Sequence, residues 1–188
     1  MKRKIALLAS LLGLTATLSF GAPILGGSLF VANTGNVTAK FLGHSAAYTN
    51  DLYLDLGIAL ATDPADIFIF RNHMTPIGST FSLGNFTAGQ ELVFYVKVIN
   101  TGDVWYTGPG SRNADGLAHV VVDDNRTGVI GTYVGFEDVF GGGDRDYNDL
   151  EFSFTNTQST PSVPEPSTLG LLGLGLMGLF TAMRRRRS

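Results

Sequence analysis

Apolar and polar residues alternate in short runs along most of this chain. Leu52, Leu54 and Leu56 fall on one side of an extended strand, with Tyr53 and Asp55 on the other. Val134 and Phe136 alternate with Tyr133 and Gly135, and Leu150, Phe152 and Phe154 with Glu151, Ser153 and Thr155. A period of two marks a strand with one buried face. The pattern predicts strands over 29–32, 37–42, 52–58, 66–70, 80–86, 91–99, 104–107, 117–123, 131–137 and 150–155. Turn-forming clusters punctuate them: Asn33-Thr34-Gly35-Asn36, Gly84-Asn85, Asn100-Thr101-Gly102-Asp103 and Asn125-Arg126-Thr127-Gly128. No interior run has helical periodicity. Many short, closely spaced strands predict an all-β fold, an antiparallel β-sandwich or jelly-roll-like domain over 22–157.

The two ends depart from this pattern. Lys2, Arg3 and Lys4 precede a mostly apolar run over 5–18, and Ser19-Phe20-Gly21 supplies small residues at −3 and −1. Residues 1–21 therefore read as a secretory signal peptide, cleaved after Gly21; the apolar run is short for a retained anchor. At the other end, 158–166 is rich in Ser, Thr and Pro and reads as an extended linker. Residues 167–188 form an apolar, glycine-rich stretch closed by Arg184, Arg185, Arg186 and Arg187. As a transmembrane helix its apolar part covers about 25 Å, usable with local thinning of the bilayer. The arginines belong on the cytoplasmic side.

This division changes the meaning of the net charge. Of 13 Lys and Arg, seven lie in 1–21 and 167–188, which leaves six basic against 16 acidic residues over 22–166, a net of −10. Such a domain lacks the basic face that phosphate binding needs, so nucleic acid is not an expected partner. The chain has no cysteine. That excludes disulfides, thiolate metal sites and cysteine nucleophiles, and leaves an exported domain to be held by its core and by any metal it binds.

Hydrophobicity does not account for the loop inside 134–154. It gathers Glu137, Asp138, Asp144, Asp146 and Asp149, with Arg145 as its only cation. Two carboxylates about 4 Å apart repel by roughly 4 kcal/mol near a protein surface, so the chain either accepts a self-repelling loop or something neutralises it. Gly141, Gly142 and Gly143 allow a tight fold that brings the acids together. Oxygen-only donors on a glycine-hinged loop suit Ca²⁺ before Mg²⁺. The expected ligands are Glu137, Asp138, Asp144, Asp146 and Asp149, with Asn148 as a further donor. Asp144, Asp146 and Asp149 are the foremost of these, because short Asp side chains converge without long rotamers to freeze. Asp144-x-Asp146-x-Asn148 begins like an EF-hand loop, but Asp149 stands where that loop needs glycine and Thr155 where it needs a bidentate Glu. A solvated acidic hairpin loop with Arg145 pairing locally is the alternative.

Other candidates carry less. His119 sits in a strand pattern and reads as packed rather than ligating, and His44 and His73 lie in turn-like surroundings. Gly43-His44-Ser45-Ala46-Ala47 lacks the final glycine of a nucleophile elbow. Trp105 and Tyr106, beside Gly108-Pro109-Gly110, could serve as a sugar platform, though core packing is the commoner use of such a pair.

The run G-F-E-D-V-F-G-G-G-D-R-D-Y-N-D-L-E-F, with the segment over 91–122, resembles the DUF4114 family of secreted and surface bacterial proteins. The resemblance implies an extracellular β-rich module with calcium binding, and no established reaction. Val163-Pro164-Glu165-Pro166-Ser167-Thr168, the apolar stretch and the arginine cluster together resemble a PEP-CTERM sorting signal. That resemblance implies a Gram-negative bacterium whose exosortase, a membrane protease, recognises Pro164, Glu165 and Pro166 and removes the tail, in systems that accompany exopolysaccharide production. The expected protein is therefore not an enzyme. It is an exported module, held briefly in the inner membrane and then placed at the cell surface or in the extracellular matrix. There it would bind exopolysaccharide or other surface proteins. The alternatives are a glycoside hydrolase built on two carboxylates and a carbohydrate-binding module displaying Trp105 and Tyr106.

Overall fold

A computed structural model describes residues 22–57 and 64–160. The expected signal peptide (1–21), the motif Pro164, Glu165 and Pro166, and the expected transmembrane segment (167–188) lie outside the described residues. Within them the structure is all-β. The strands are β1 (Ile24–Leu25), β2 (Leu29–Val31), β3 (Gly35–Gly43), β4 (Asn50–Leu54), β5 (Ile67–Arg71), β6 (Thr80–Phe86), β7 (Glu91–Leu92), β8 (Phe94–Val98), β9 (Val104–Tyr106), β10 (Val120–Asp123), β11 (Thr132–Phe136), β12 (Leu150–Thr155) and β13 (Thr157–Gln158). The one helical element among the described residues is a 3₁₀ turn, Gly110–Arg112. No helix there is long and apolar enough to cross a membrane.

All pairings are antiparallel. A six-stranded sheet runs β1-β10-β11-β12-β3-β6, a four-stranded sheet β5-β4-β8-β9, and a short sheet β13-β2-β7. The two larger sheets face each other across one apolar core, the arrangement of a sandwich. Phe41, Val134, Phe136, Phe152 and Phe154 come from one side; Leu52, Leu54, Phe70, Phe94 and Val96 come from the other. Rings interlock between the layers: Phe94 and Phe154 centroids are 4.1 Å apart, Phe41 and Phe70 6.0 Å, and Phe70 and Phe152 6.2 Å. These are the inward positions of the two-residue period, so pattern and burial agree.

Differences from the expected elements have local causes. The run over 91–99 is two strands, because the chain changes sheets at Val93: β7 pairs with β2, whereas β8 pairs with β4 and β9. The strand expected over 52–58 starts earlier, at Asn50, and ends at Leu54, leaving Leu56 half exposed. Residues 117–119 leave the strand expected over 117–123, since the Asn113 side chain takes the Leu117 carbonyl at 2.7 Å. Two-residue strands such as β1 and β13 carry too little periodicity to be seen in sequence.

The acidic loop joins β11 to β12, which pair from Thr132↔Phe154 to Phe136↔Leu150. It therefore sits at one end of the large sheet. Backbone bonds from Ser45 to Asn148 O (2.9 Å) and from Ala46 to Asp149 O (3.4 Å) dock its second half on the segment after β3.

Candidate metal centre

Glu137 and Asp138 follow directly from β11 and are both nearly inaccessible, at 2% exposure each, whereas Asp144 and Asp146 are exposed. The chain reverses between them through left-handed backbone at Gly141, Gly142, Gly143, Arg145 and Tyr147. At Gly143 the reason is steric as well as torsional: φ is +40°, and a Cβ there would lie 2.0 Å from Glu137 Oε1. The loop wraps so closely over the Glu137 carboxylate that a side chain at 143 would displace it, at a backbone angle that glycine adopts most readily.

The reversal brings together carboxylate oxygens of Glu137, Asp144 and Asp146, all within 4.8 Å of one another. Backbone N–H groups support the cluster. Arg145 donates to Glu137 Oε2 at 3.1 Å, and Asn148 donates to Asp146 Oδ1 at 3.1 Å. The Asn148 amide nitrogen also reaches Asp146 Oδ2, at 2.5 Å, so Asn148 orients that carboxylate.

Asp138 and Asp149 are placed differently. Asp138 turns inward and accepts from Asn50 Nδ2 at 2.6 Å, while its own N–H donates to Asp149 Oδ2 at 2.9 Å. Asp149 thus lies between Asp138 and Glu137, beside the triad rather than in it. Of the six expected donors, the structure converges three, lets Asn148 and Asp149 brace them, and turns Asp138 toward the second sheet.

The electrostatics match this crowding. Burial first, then the charges of Asp149 and Asp144, push the Glu137 carboxyl up to about 7. Burial also pushes Asp138 up to about 6, with Asp149 adding repulsion and the Asn50 amide pulling the other way. The ion pairs among the described residues are Arg71–Asp51, Arg112–Glu91 and His119–Asp115, and none of them neutralises the triad. Arg145 meets Glu137 through its backbone rather than its guanidinium.

Periodicity did not reveal what braces the loop from below. Trp105 Nε1 donates to the Asp138 carbonyl at 2.9 Å, and the Trp105 ring stacks on His119 at 3.7 Å. His119 Nδ1 lies 2.9 Å from Glu137 O and Nε2 lies 2.9 Å from Asp115 Oδ2, so neither nitrogen is free to ligate. Asp115 also accepts from the backbone of Leu117 and Gly141, and these bonds hold its carboxyl below the usual range despite burial. Asn50 and Asp138 are 88 residues apart in sequence, and no local signal joins them.

His119 is packed rather than ligating, as expected, although it lies just before β10 and not within it. The sugar platform is not formed: Trp105 is fully buried and Tyr106 is 5% exposed, because both rings fill space beneath the loop and beside Tyr95.

Two comparisons with protein families bear on this chain. Residues 86–157, from the end of β6 through the acidic loop to β13, match the family described as a domain of unknown function, DUF4114. Residues 162–187 match the PEP-CTERM protein-sorting motif, and Pro164, Glu165 and Pro166 lie inside that match. The sorting motif marks an exported surface protein that exosortase processes, with transient membrane anchorage in a Gram-negative bacterium. No curated protein and no solved structure matches the chain.

Proposed function

We propose that the domain binds Ca²⁺ at the β11–β12 loop and acts, after sorting, as a calcium-stabilised interaction module in exopolysaccharide or among surface proteins. The observation that carries this reading is the convergence of Glu137, Asp144 and Asp146 within 4.8 Å around the buried Glu137 carboxylate, which no ion pair reaches among the described residues. The residues suit the ion. All three donors are oxygen, two are open to solvent, and the loop cradles Glu137 so closely that a Cβ at Gly143 would collide with it. A divalent cation would supply the positive charge that no ion pair among the described residues brings to the triad. Three protein carboxylates leave positions for water or for a hydroxyl or carboxylate of a bound polymer, since Ca²⁺ takes six to eight oxygens.

Affinity on the order of 10⁻⁴ M or tighter suits an extracellular module. Calorimetric titration of the exported domain with Ca²⁺, and with Mg²⁺ for comparison, tests the reading. Ca²⁺ should bind and raise the melting temperature, and a chelator should reverse the rise. Asp146→Ala should fold and lose most of that response. Wild type and Asp146→Ala melting alike with and without Ca²⁺ would leave the loop as acidic surface only.

A further inference from the structure

We infer that His44 and His73 form a two-imidazole site for one borderline divalent transition cation, with Zn²⁺ as its probe, separate from the carboxylate loop. The two histidines come from different sheets. His44 directly follows β3 of the six-stranded sheet, and His73 lies just past β5, an edge of the four-stranded sheet. Their ring centroids nevertheless lie 4.5 Å apart, at an interplanar angle of 80°. At a Zn–N bond of about 2.0–2.1 Å, two imidazoles that share one tetrahedral ion have centroids roughly 5 Å apart. The fold of the protein alone thus brings the two rings near ligating separation.

The ring nitrogens fit this use. His73 Nε2 lies 3.0 Å from the Tyr48 carbonyl oxygen. A carbonyl only accepts, so Nε2 carries the hydrogen, and Nδ1 of the neutral ring keeps its lone pair. A bond from one ring nitrogen to a backbone carbonyl is the usual way in which the tautomer of a ligating histidine is fixed. The Asn72 side chain donates to the same carbonyl at 2.8 Å and holds it in place. His44 Nδ1 is buried and has no hydrogen-bond partner among the described residues. Buried polar atoms are ordinarily satisfied, and a cation at this nitrogen would satisfy it. Phe41 stacks on the His44 ring, with centroids 6.1 Å apart and planes 9° from parallel, so the ring is oriented from below. His44 is half-buried and His73 exposed, so an ion reaches the pair from the His73 side.

The donor type selects the ion. Neutral imidazole suits Zn²⁺ and its first-row neighbours, whereas Ca²⁺ takes oxygen. The histidine pair and the acidic loop are neighbours, since Ser45, next to His44, donates its backbone N–H to Asn148 O at 2.9 Å. Their donor sets keep the two sites distinct. Two protein nitrogens leave two tetrahedral positions for water, which makes the site an open one, weaker than a closed site of four protein ligands. An ion held there would clasp the ends of β3 and β5, and with them the two sheets.

The chain has three histidines, and both ring nitrogens of His119 are already engaged, which makes His119 an internal control. The untagged full chain, labelled with ¹⁵N-histidine and held in detergent, is titrated with Zn²⁺ in the presence of excess Ca²⁺. The expected result is saturable binding of one ion, with the ring ¹⁵N resonances of His44 and His73 moving together, Nδ1 most, and those of His119 unmoved. His44→Ala and His73→Ala should each weaken binding by more than about tenfold, the loss that even an outer-shell partner of a metal site causes. Rings that only pack edge to face would show no shift with Zn²⁺, and that result overturns the inference. A shift of one ring alone, or binding that Ca²⁺ displaces, overturns it as well. The wild-type resonances decide the matter even where His44→Ala fails to fold, and none of these outcomes bears on calcium at the acidic loop.

Discussion

Replacing Glu137 by Gln should make the metal-free domain more stable and the calcium-bound domain less so. Glu137 is a buried carboxylate beside Asp149 and Asp144, and its carboxyl is pushed from 4.5 up to about 7. At about 1.36 kcal/mol per unit, holding it ionised at pH 8 costs the metal-free fold no more than about 3 kcal/mol. Repulsion shared with Asp149, which takes up part of the proton exchange, reduces that to about 1–2 kcal/mol. Gln keeps an oxygen for the Arg145 N–H and removes the charge. In a domain of this size about 1 kcal/mol moves the melting temperature by roughly 3–5 °C, so Glu137→Gln should melt about 5 °C above wild type in chelator at pH 8. With Ca²⁺ at a hundredfold excess over Kd, wild type gains about 2.7 kcal/mol, and the variant should lose most of that gain. The two melting curves should therefore exchange order on adding Ca²⁺, which calorimetric scans with and without chelator would record. A variant that melts below wild type in chelator, or that keeps the full calcium increment, refutes the reasoning.

Three further outcomes follow from the same geometry. Glu137 has a folded-state pKa above its unfolded value, so its contribution to stability is complete below about 4.5 and is lost as pH rises to about 7. Without metal, the stability difference between wild type and Glu137→Gln should thus close as pH falls from 8 to 5, and the calcium increment of wild type should shrink over the same range; a difference independent of pH contradicts this. Gly143→Ala forces a Cβ against Glu137 at a left-handed backbone position, and should lower stability by about 1–2 kcal/mol and weaken Ca²⁺ binding in a titration, whereas unchanged binding would mean that the loop does not cradle Glu137. Mass spectrometry of surface material should find a mature chain that begins at Ala22 and lacks residues 169–188; an intact tail recovered in quantity contradicts exosortase processing.

Period-two alternation determined the all-β class, most strand positions and the inward faces. β6 and β12 were legible to the residue, because their ends coincide with turn chemistry or with the acidic loop. The density of carboxylates around three glycines marked the loop as the place where chemistry is concentrated, since repulsion of that size is a local property of the chain. Sequence also carried the PEP-CTERM motif as a contiguous string.

Tertiary structure decided the rest. It brought carboxylate oxygens of Glu137, Asp144 and Asp146 within 4.8 Å of one another and set Asp149 Oδ2 against the Asp138 N–H, an arrangement that side-chain length does not foretell. It buried Trp105 and Tyr106, whose apolar bulk gives no sign in sequence of which way it faces. It joined Asn50 to Asp138 across 88 residues and put the chain exit at the pole opposite the acidic loop. These are consequences of which strands pair and which sheets stack. Alternation says that a strand has an inner face, but only the pairing of distant strands says what that face meets.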